Sequence, residues 1–189
     1  RRRSPRDLPL GEKMPLAMFY FQLHQPFRLH PERGKFLWDD KNREIFLKVA
    51  EKCYLPATQM FTELISAHPS FKITLSMSGT FLEQAELYQP DVIRALQKLL
   101  DAGQKKDQVE YLDETYYHSL TSLFEDPLRL EFREQTSLHR EKIRKIFGIF
   151  PTSFRNTELM YNNPIAEAVG DMGYQSILCE KRDDMFTRG

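Results

Sequence analysis

The side chains with chemistry to offer gather in four short stretches of this 189-residue sequence, each just after an apolar run. Gln22 and Leu23 close the run that begins at Leu16, and His24 and Gln25, with Arg28 and His30 beyond them, follow it. Ser78-Gly79-Thr80 follows Phe71 to Ser76, and Asp113-Glu114 with Tyr116-Tyr117-His118 follows Val109 to Leu112. Arg155, Asn156 and Glu158 follow the run that begins at Thr152. These residue types suit a sugar. Phe36, Trp38, Tyr116, Tyr117 and Tyr161 offer flat faces to the C–H side of a pyranose, and His24, Gln25, Arg155 and Asn156 can satisfy hydroxyls. A metal site is the open alternative. His24, His118 and Glu158 would supply its ligands, although no His-x-x-x-His or similar close pair occurs.

The elements that must position these residues alternate between strand and helix. Leu16 to Leu23 is aromatic-rich and nearly all apolar, which predicts a strand buried on both faces. Asp39-Asp40 opens a helix with Ile45, Phe46, Val49 and Cys53 on one side, which Pro56 should break or kink before a helical stripe resumes to Pro69. Phe71 to Ser76 is the second strand, Ser78-Gly79-Thr80 turns into a short helix, and Pro90 starts another for which Gly103 is the expected C′ stop. Val109 to Leu112 is the third strand. A helix is expected from Pro127 to Phe147, with Asp126 as N-cap, acidic residues early, basic residues late and Gly148 ending it. Thr152 to Arg155 is the fourth strand, Asn163-Pro164 caps a helix closing at Gly173, and Tyr174 to Leu178 is the fifth strand.

That alternation predicts an α/β fold with a parallel sheet, and five strands are too few to close a barrel of the usual eight. No glycine-rich phosphate loop follows the first strand, which argues against a dinucleotide-binding domain. In open sheets and barrels alike, ligands bind at the carboxyl ends of the strands, where the four chemical stretches fall. Composition removes other classes. Twenty-seven basic and 27 acidic residues give no net charge, which argues against a nucleic-acid surface acting through bulk positive charge. At 41% hydrophobic and 12% aromatic the chain is no disordered segment, and no apolar run approaches the ~18–20 residues of a membrane helix. Cys53 and Cys179 stand alone, which makes a reducing, cytoplasmic compartment the simpler expectation. Residues 1–13 form a basic leader expected to be disordered, with the domain over 14–189. The start at Arg1 without Met, and the end at Gly189 just after a strand, give the expectation of a piece of something longer.

Three segments are more specific. Phe21-Gln22-Leu23-His24-Gln25-Pro26 resembles the first conserved region of glycoside hydrolase family 57. Val109-Glu110-Tyr111-Leu112 running into Tyr116-Tyr117-His118 resembles the second, and Phe154-Arg155-Asn156-Thr157-Glu158-Leu159 the third, in the same order. The wording is most similar to the α-amylase branch, and the resemblance runs from about Leu16 to Glu180. It implies part of an incomplete seven-stranded (β/α)7 TIM-like barrel, acting by a retaining mechanism on an α-glucan or maltooligosaccharide, with no metal or other cofactor. By the resemblance Glu158 is the nucleophile, His24 contacts the sugar being cleaved, and His118 is a substrate ligand where related glucanotransferases carry Glu. Arg155, if it points the same way, would favour ionised Glu158.

The departure from the family pattern lies downstream. The family's acid/base is an Asp in a fourth region, and no such region follows Glu158. Of the later carboxylates, Glu167 and Asp171 belong to a helix pointing away from the rim, while Glu180, Asp183 and Asp184 sit in no matching motif. The chain is therefore expected to hold the nucleophile without its general acid, which a missing C-terminal remainder would carry. Two other classes stay open: a non-catalytic α-glucan-binding fragment and a metal-dependent polysaccharide deacetylase. Several residues also carry plainer readings. His139, with Phe132 and Ile143, is expected to be a buried structural histidine, and Glu110 a buried structural carboxylate. Trp38 could simply cover the barrel end, and Arg140 to Lys145 is expected to be a solvated helix end.

Overall fold

The computed structural model describes residues 17–103 and 107–180. The leader expected over 1–13, and Asp183 and Asp184, lie outside the described residues. Five parallel strands run through the described chain: β1 (Phe19–Leu23), β2 (Ile73–Met77), β3 (Val109–Leu112), β4 (Ser153–Arg155) and β5 (Ser176–Leu178). β1, β2 and β3 form one ladder and β4 and β5 another. A parallel bridge between Asp113 and Phe154 joins the two, so the order across the molecule follows the chain. Leu23 pairs with Met77 and Ser76 with Leu112, so the carboxyl ends finish near one level. That register puts the four chemical stretches at one rim.

β1 is narrower than expected and not buried on both faces. Phe19 is 46% and Phe21 42% exposed, because β1 is the edge of its ladder. Their rings lean instead on Phe71 and Phe61. Of the two outcomes expected at Pro56, the helix opened by Asp39-Asp40 does not break there; it becomes irregular just before the proline. α1 (Asp39–Val49) passes through a π-helical turn, Ala50–Tyr54, straight into α2 (Leu55–Ala67). The Leu55 N–H bonds back to the carbonyl of Ala50, five residues earlier. The wider turn accommodates a ring that has no N–H to give and would crowd the carbonyl four residues back.

α3 (Gly79–Tyr88) is capped by Ser78, whose Oγ accepts the Phe81 N–H at 3.2 Å. In α4 (Pro90–Gly103), Val92, Ile93, Leu96, Leu99 and Leu100 recur at helical spacing and are buried in the core. Gly103 is not the left-handed stop expected of it. It is the last helical residue, buried, and an added Cβ would lie 2.4 Å from Val109 Cγ2. Close approach to β3 explains this glycine.

α5 (Leu130–Phe147) starts three residues later than the sequence predicts. The Asp126 carboxylate still caps, accepting from Leu128 N at 3.0 Å and Leu130 N at 2.7 Å, but across a turn that includes Arg129 at φ 50°. Gly148, at φ 70°, ends α5 as expected. α6 (Asn163–Asp171) is capped one residue early, by Asn162 accepting from Ile165 N, with Pro164 inside the first turn. Glu110 is exposed and meets Ser153 across the ladder, so it is no buried carboxylate. Arg140 is not solvated as expected. It reaches inward to Asp113 at 3.3 Å and lies over the Tyr174 ring.

The core has two parts. The larger packs β1–β3 against α1–α4 through Phe46, Ile65, Leu75, Met77, Phe81 and Leu99 and their neighbours. Tyr111 donates its hydroxyl to the Leu96 carbonyl at 2.7 Å, and burial raises its pKa. The smaller consists of Phe132, Phe154, Ile165, Ala168, Val169 and Tyr174 around β4 and β5.

Candidate active site

At the rim the strands deliver their polar side chains in a connected series. From the end of β1, Gln22 donates through Nε2 to Glu114 Oε2 at 2.7 Å, and the same nitrogen lies 2.9 Å from His118 Nδ1. His24 bonds through Nδ1 to Ser78 Oγ at 2.8 Å, and its ring stacks on His118 with centroids 4.2 Å apart. Half-burial, then the neighbouring His118, lowers the His24 pKa. His24 is thereby kept neutral at pH 7, able to serve a hydroxyl as donor or acceptor.

Glu158 stands opposite this histidine pair. Its Oε1 is 3.6 Å from His118 Nε2, and its side chain is 67% exposed. The backbone presents it in a short 3-10 turn after β4 with Glu158 itself at φ 56°, ψ 22° and Leu159 also at φ 56°. A left-handed conformation at two successive non-glycine residues costs on the order of 1–2 kcal/mol each. Hydrogen bonds hold the turn in place. Leu159 N donates to Asn156 O at 2.9 Å, and Asn156 Nδ2 reaches Ser122 Oγ and the Met160 carbonyl, each at 3.0 Å. Thr157 Oγ1 bonds Thr115 Oγ1 at 2.9 Å, tying the β4 turn to the β3 turn. Backbone strain held by such bonds is a frequent mark of functional turns. Beside Glu158 opens a cavity of about 240 Å³ lined by Leu123, Leu159, Met160, Tyr161, Asn162, Ile165 and Glu180.

Beneath the rim lie fully buried charges. Glu114 is inaccessible, with Ser76 Oγ at 3.4 Å and Arg155 Nη1 at 3.8 Å from its Oε2. Glu114 Oε1 and Arg155 Nε and Nη1 have no protein hydrogen-bond partner among the described residues. Next to them, Asp113 accepts from His139 Nδ1 at 2.7 Å and from the Tyr174 hydroxyl at 2.7 Å, with Arg140 Nε at 3.3 Å. His139 Nε2 donates to the Met77 carbonyl at 2.6 Å. Burial lowers the His139 pKa, but the Asp113 hydrogen bond and charge outweigh it and leave a net rise. His139 is thus the buried structural histidine the sequence predicts, and more: it clamps the ends of β2 and β3 to α5.

The structure sorts the residues expected at the site. It brings His24, His118 and Glu158 together. Arg155 faces Glu114 instead of Glu158, so the cation expected beside Glu158 is replaced by an imidazole. Asn156 turns inward to hold the turn. Gln25 is engaged by the Tyr54 hydroxyl at 3.0 Å, while its carbonyl accepts from Gln84. Trp38 packs on His30 at the start of α1, in the loop after β1, and Tyr117 lies half-exposed against Tyr116. Gln22 and Glu114 are the organising residues that pattern alone does not single out, since their strand-end positions are visible but their mutual contact is not.

A metal-dependent deacetylase would need His24 and His118 to converge with a carboxylate on one ion. Their rings stack face to face instead, with centroids 4.2 Å apart. No group of three His, Cys, Asp or Glu side chains among the described residues is arranged to hold a metal. Among those residues, too, no helix is long and apolar enough to cross a membrane.

A protein of Methanocaldococcus jannaschii named "Putative alpha-amylase" is 43% identical over 173 residues, 87% of this chain and 36% of that protein. The alpha-amylase of Pyrococcus abyssi is 26% identical over 167 residues, 88% of this chain and 22% of that one. This chain therefore spans about a third or less of the length of these relatives. Among solved structures, 4-alpha-glucanotransferase from Thermococcus litoralis superposes with a TM-score of 0.61 at 20% identity, covering 85% of this chain and 21% of that one. The branching enzyme of Thermococcus kodakaraensis gives 0.59 at 13% identity, covering 85% and 38%. These two share the fold: an α/β chain of parallel strands forming part of a TIM-like barrel. The model of Glycosyl hydrolase family 57 matches residues 18–189, and the chain belongs to that family.

Proposed function

We propose that this chain carries the nucleophile side of a retaining glycoside hydrolase site for α-glucans, with Glu158 as the nucleophile. The observation that carries the reading is the presentation of Glu158: a carboxylate held out on a strained left-handed turn at the rim, opposite the His24–His118 pair and beside a cavity. Glu158 attacks the anomeric carbon as the glycosidic C–O bond breaks, giving a glycosyl-enzyme that water or an acceptor hydroxyl then resolves. His118 Nε2 faces the same carboxylate, and neutral His24 is placed to meet a sugar hydroxyl. Tyr161, on the cavity wall, offers the flat face a pyranose packs against.

The leaving oxygen needs a second carboxyl about 5–5.5 Å from the first. Asp113 and Glu114 are fully buried in other bonds, and Glu180, though it lines the cavity, follows β5 outside any family motif. The acid belongs, on this reading, to sequence beyond residue 189, in keeping with the share of the relatives that this chain spans. The relatives named alpha-amylase support an α-glucan as the substrate.

A 5-fluoro-α-glycosyl fluoride of glucose or maltose tests this directly, since fluoride leaves without a general acid. Incubated with the 189-residue chain, it should add one glycosyl unit to Glu158, found by peptide mass mapping and absent in Glu158→Gln. Maltooligosaccharide turnover by the same chain should stay near background. Labelling elsewhere, or none, would overturn the nucleophile assignment. Robust turnover would instead place the acid within residues 1–189.

A further inference from the structure

We infer that Gln22 is a positioning residue that sets the tautomer of His118, and so the proton presented to Glu158; this rests on the reading of Glu158 as nucleophile. The inference follows from which atoms can donate. A carboxylate only accepts, so the atom of the Gln22 amide 2.7 Å from Glu114 Oε2 must be its nitrogen. Turning the amide over would set its carbonyl oxygen against a buried carboxylate oxygen. Glu114 is itself fixed, fully buried with Ser76 and Arg155 around Oε2. With the nitrogen so placed, its other hydrogen points to His118 Nδ1 at 2.9 Å. Nδ1 must then offer its lone pair.

A neutral imidazole carries one proton, so it resides on Nε2, the nitrogen facing Glu158 Oε1 at 3.6 Å. The alternative tautomer would direct Nδ1–H at Glu114, but that separation is 3.8 Å and the Gln22 nitrogen stands nearer. The chain of orientation therefore runs from a buried carboxylate through an amide to an imidazole and out to the rim. His24, stacked on a face of the His118 ring, hinders its rotation. In catalysis the Nε2–H would hold one oxygen of Glu158, leaving the other for the anomeric carbon.

The test reads the proton and not only the rate. In a ¹⁵N-labelled 189-residue chain at pH 7.5–8, long-range ¹H–¹⁵N spectra distinguish Nε2–H from Nδ1–H imidazoles. The His118 signals are those missing from His118→Asn. The expected result is a single Nε2–H tautomer at His118 and, in Gln22→Met, a mixture or its reversal. Labelling of Glu158 by the glycosyl fluoride should slow about tenfold in Gln22→Met, the size of one lost orienting hydrogen bond, with maltooligosaccharide affinity little changed. An Nδ1–H tautomer in the unmodified chain, or an unaltered tautomer in Gln22→Met, would overturn the inference. The tautomer needs no labelling to be read, so a failed nucleophile assignment is recognised separately.

Discussion

The β1–β3 ladder and the β4–β5 pair are held by different means. Around the first, large apolar side chains from four helices close on the sheet, and Phe46, Ile65 and Phe81 are wholly inaccessible. Around the second, six buried apolar side chains form the core among the described residues, and much of the attachment to the rest is polar. Asp113 gathers His139, Arg140 and Tyr174, its backbone N–H donates to Ser153 O, and its carbonyl accepts from Arg155 N. The turn bearing Glu158 grows from this second half. Apolar packing tolerates small displacements, whereas a buried, hydrogen-bonded carboxylate admits one geometry. The side chain nearest the proposed chemistry is thus placed by the more exacting of the two devices.

Removing that device should have the largest effect. Asp113→Ala leaves a buried histidine and a tyrosine hydroxyl without their partner and is expected to cost about 3–5 kcal/mol, measured by urea unfolding. Hydrogen exchange should then show β4–β5 opening well before β1–β3; simultaneous loss of protection would mean the halves are not held separately. Gly79→Ala attacks the other half, where an added Cβ would lie 2.5 Å from the Tyr116 ring. About 1–3 kcal/mol is expected, with Tyr116, and the rim turn behind it, displaced.

The buried His139 and the half-buried His24 should give opposite pH dependences. His139 has a raised pKa in the folded chain, so its contribution is complete below the ordinary value of 6.5 and is lost as pH rises through its folded value. His24 has a lowered pKa, so its contribution is present above 6.5 and declines as pH falls from 6.5 through its folded value. Unfolding free energies across this range should show the alkaline limb flatten in His139→Gln and the acid limb flatten in His24→Gln. Identical profiles would remove the distinction between the two environments. The smallest effect is expected at Glu110→Ala, under about 0.5 kcal/mol, because its bond to Ser153 crosses the junction at the surface.

Much of this was legible in the residues. The limits of β3 read from sequence coincide with the structure because Val109 and Tyr111 must be buried beside a long apolar helix. The rim was legible because polar residues follow every strand at one end, and family resemblance marked His24, His118 and Glu158 among them. Side-chain direction beyond a strand end obeys no period, so Arg155 facing Glu114 and Asn156 facing inward lay beyond pattern. The same holds for Gln22 and Glu114, whose meaning arises only when β1 and β3 are brought to either side of β2. Local chemistry did not decide the outcome where a motif had two. Asp126 caps across an intervening turn, Gly103 serves proximity instead of a left-handed bend, and Pro56 widens a helix instead of ending it.

That widened turn works as a phase corrector. Eight residues of an ideal α-helix would leave Tyr54 rotated about 80° from the side occupied by Phe46. The π-helical stretch absorbs the excess, and the two rings meet with centroids 5.7 Å apart. The Tyr54 hydroxyl is thereby delivered to Gln25, the residue after His24. A proline in an outer helix thus helps set the pitch of the loop that leaves β1, since a regular α-helix over the same eight steps would carry the Tyr54 hydroxyl away from Gln25.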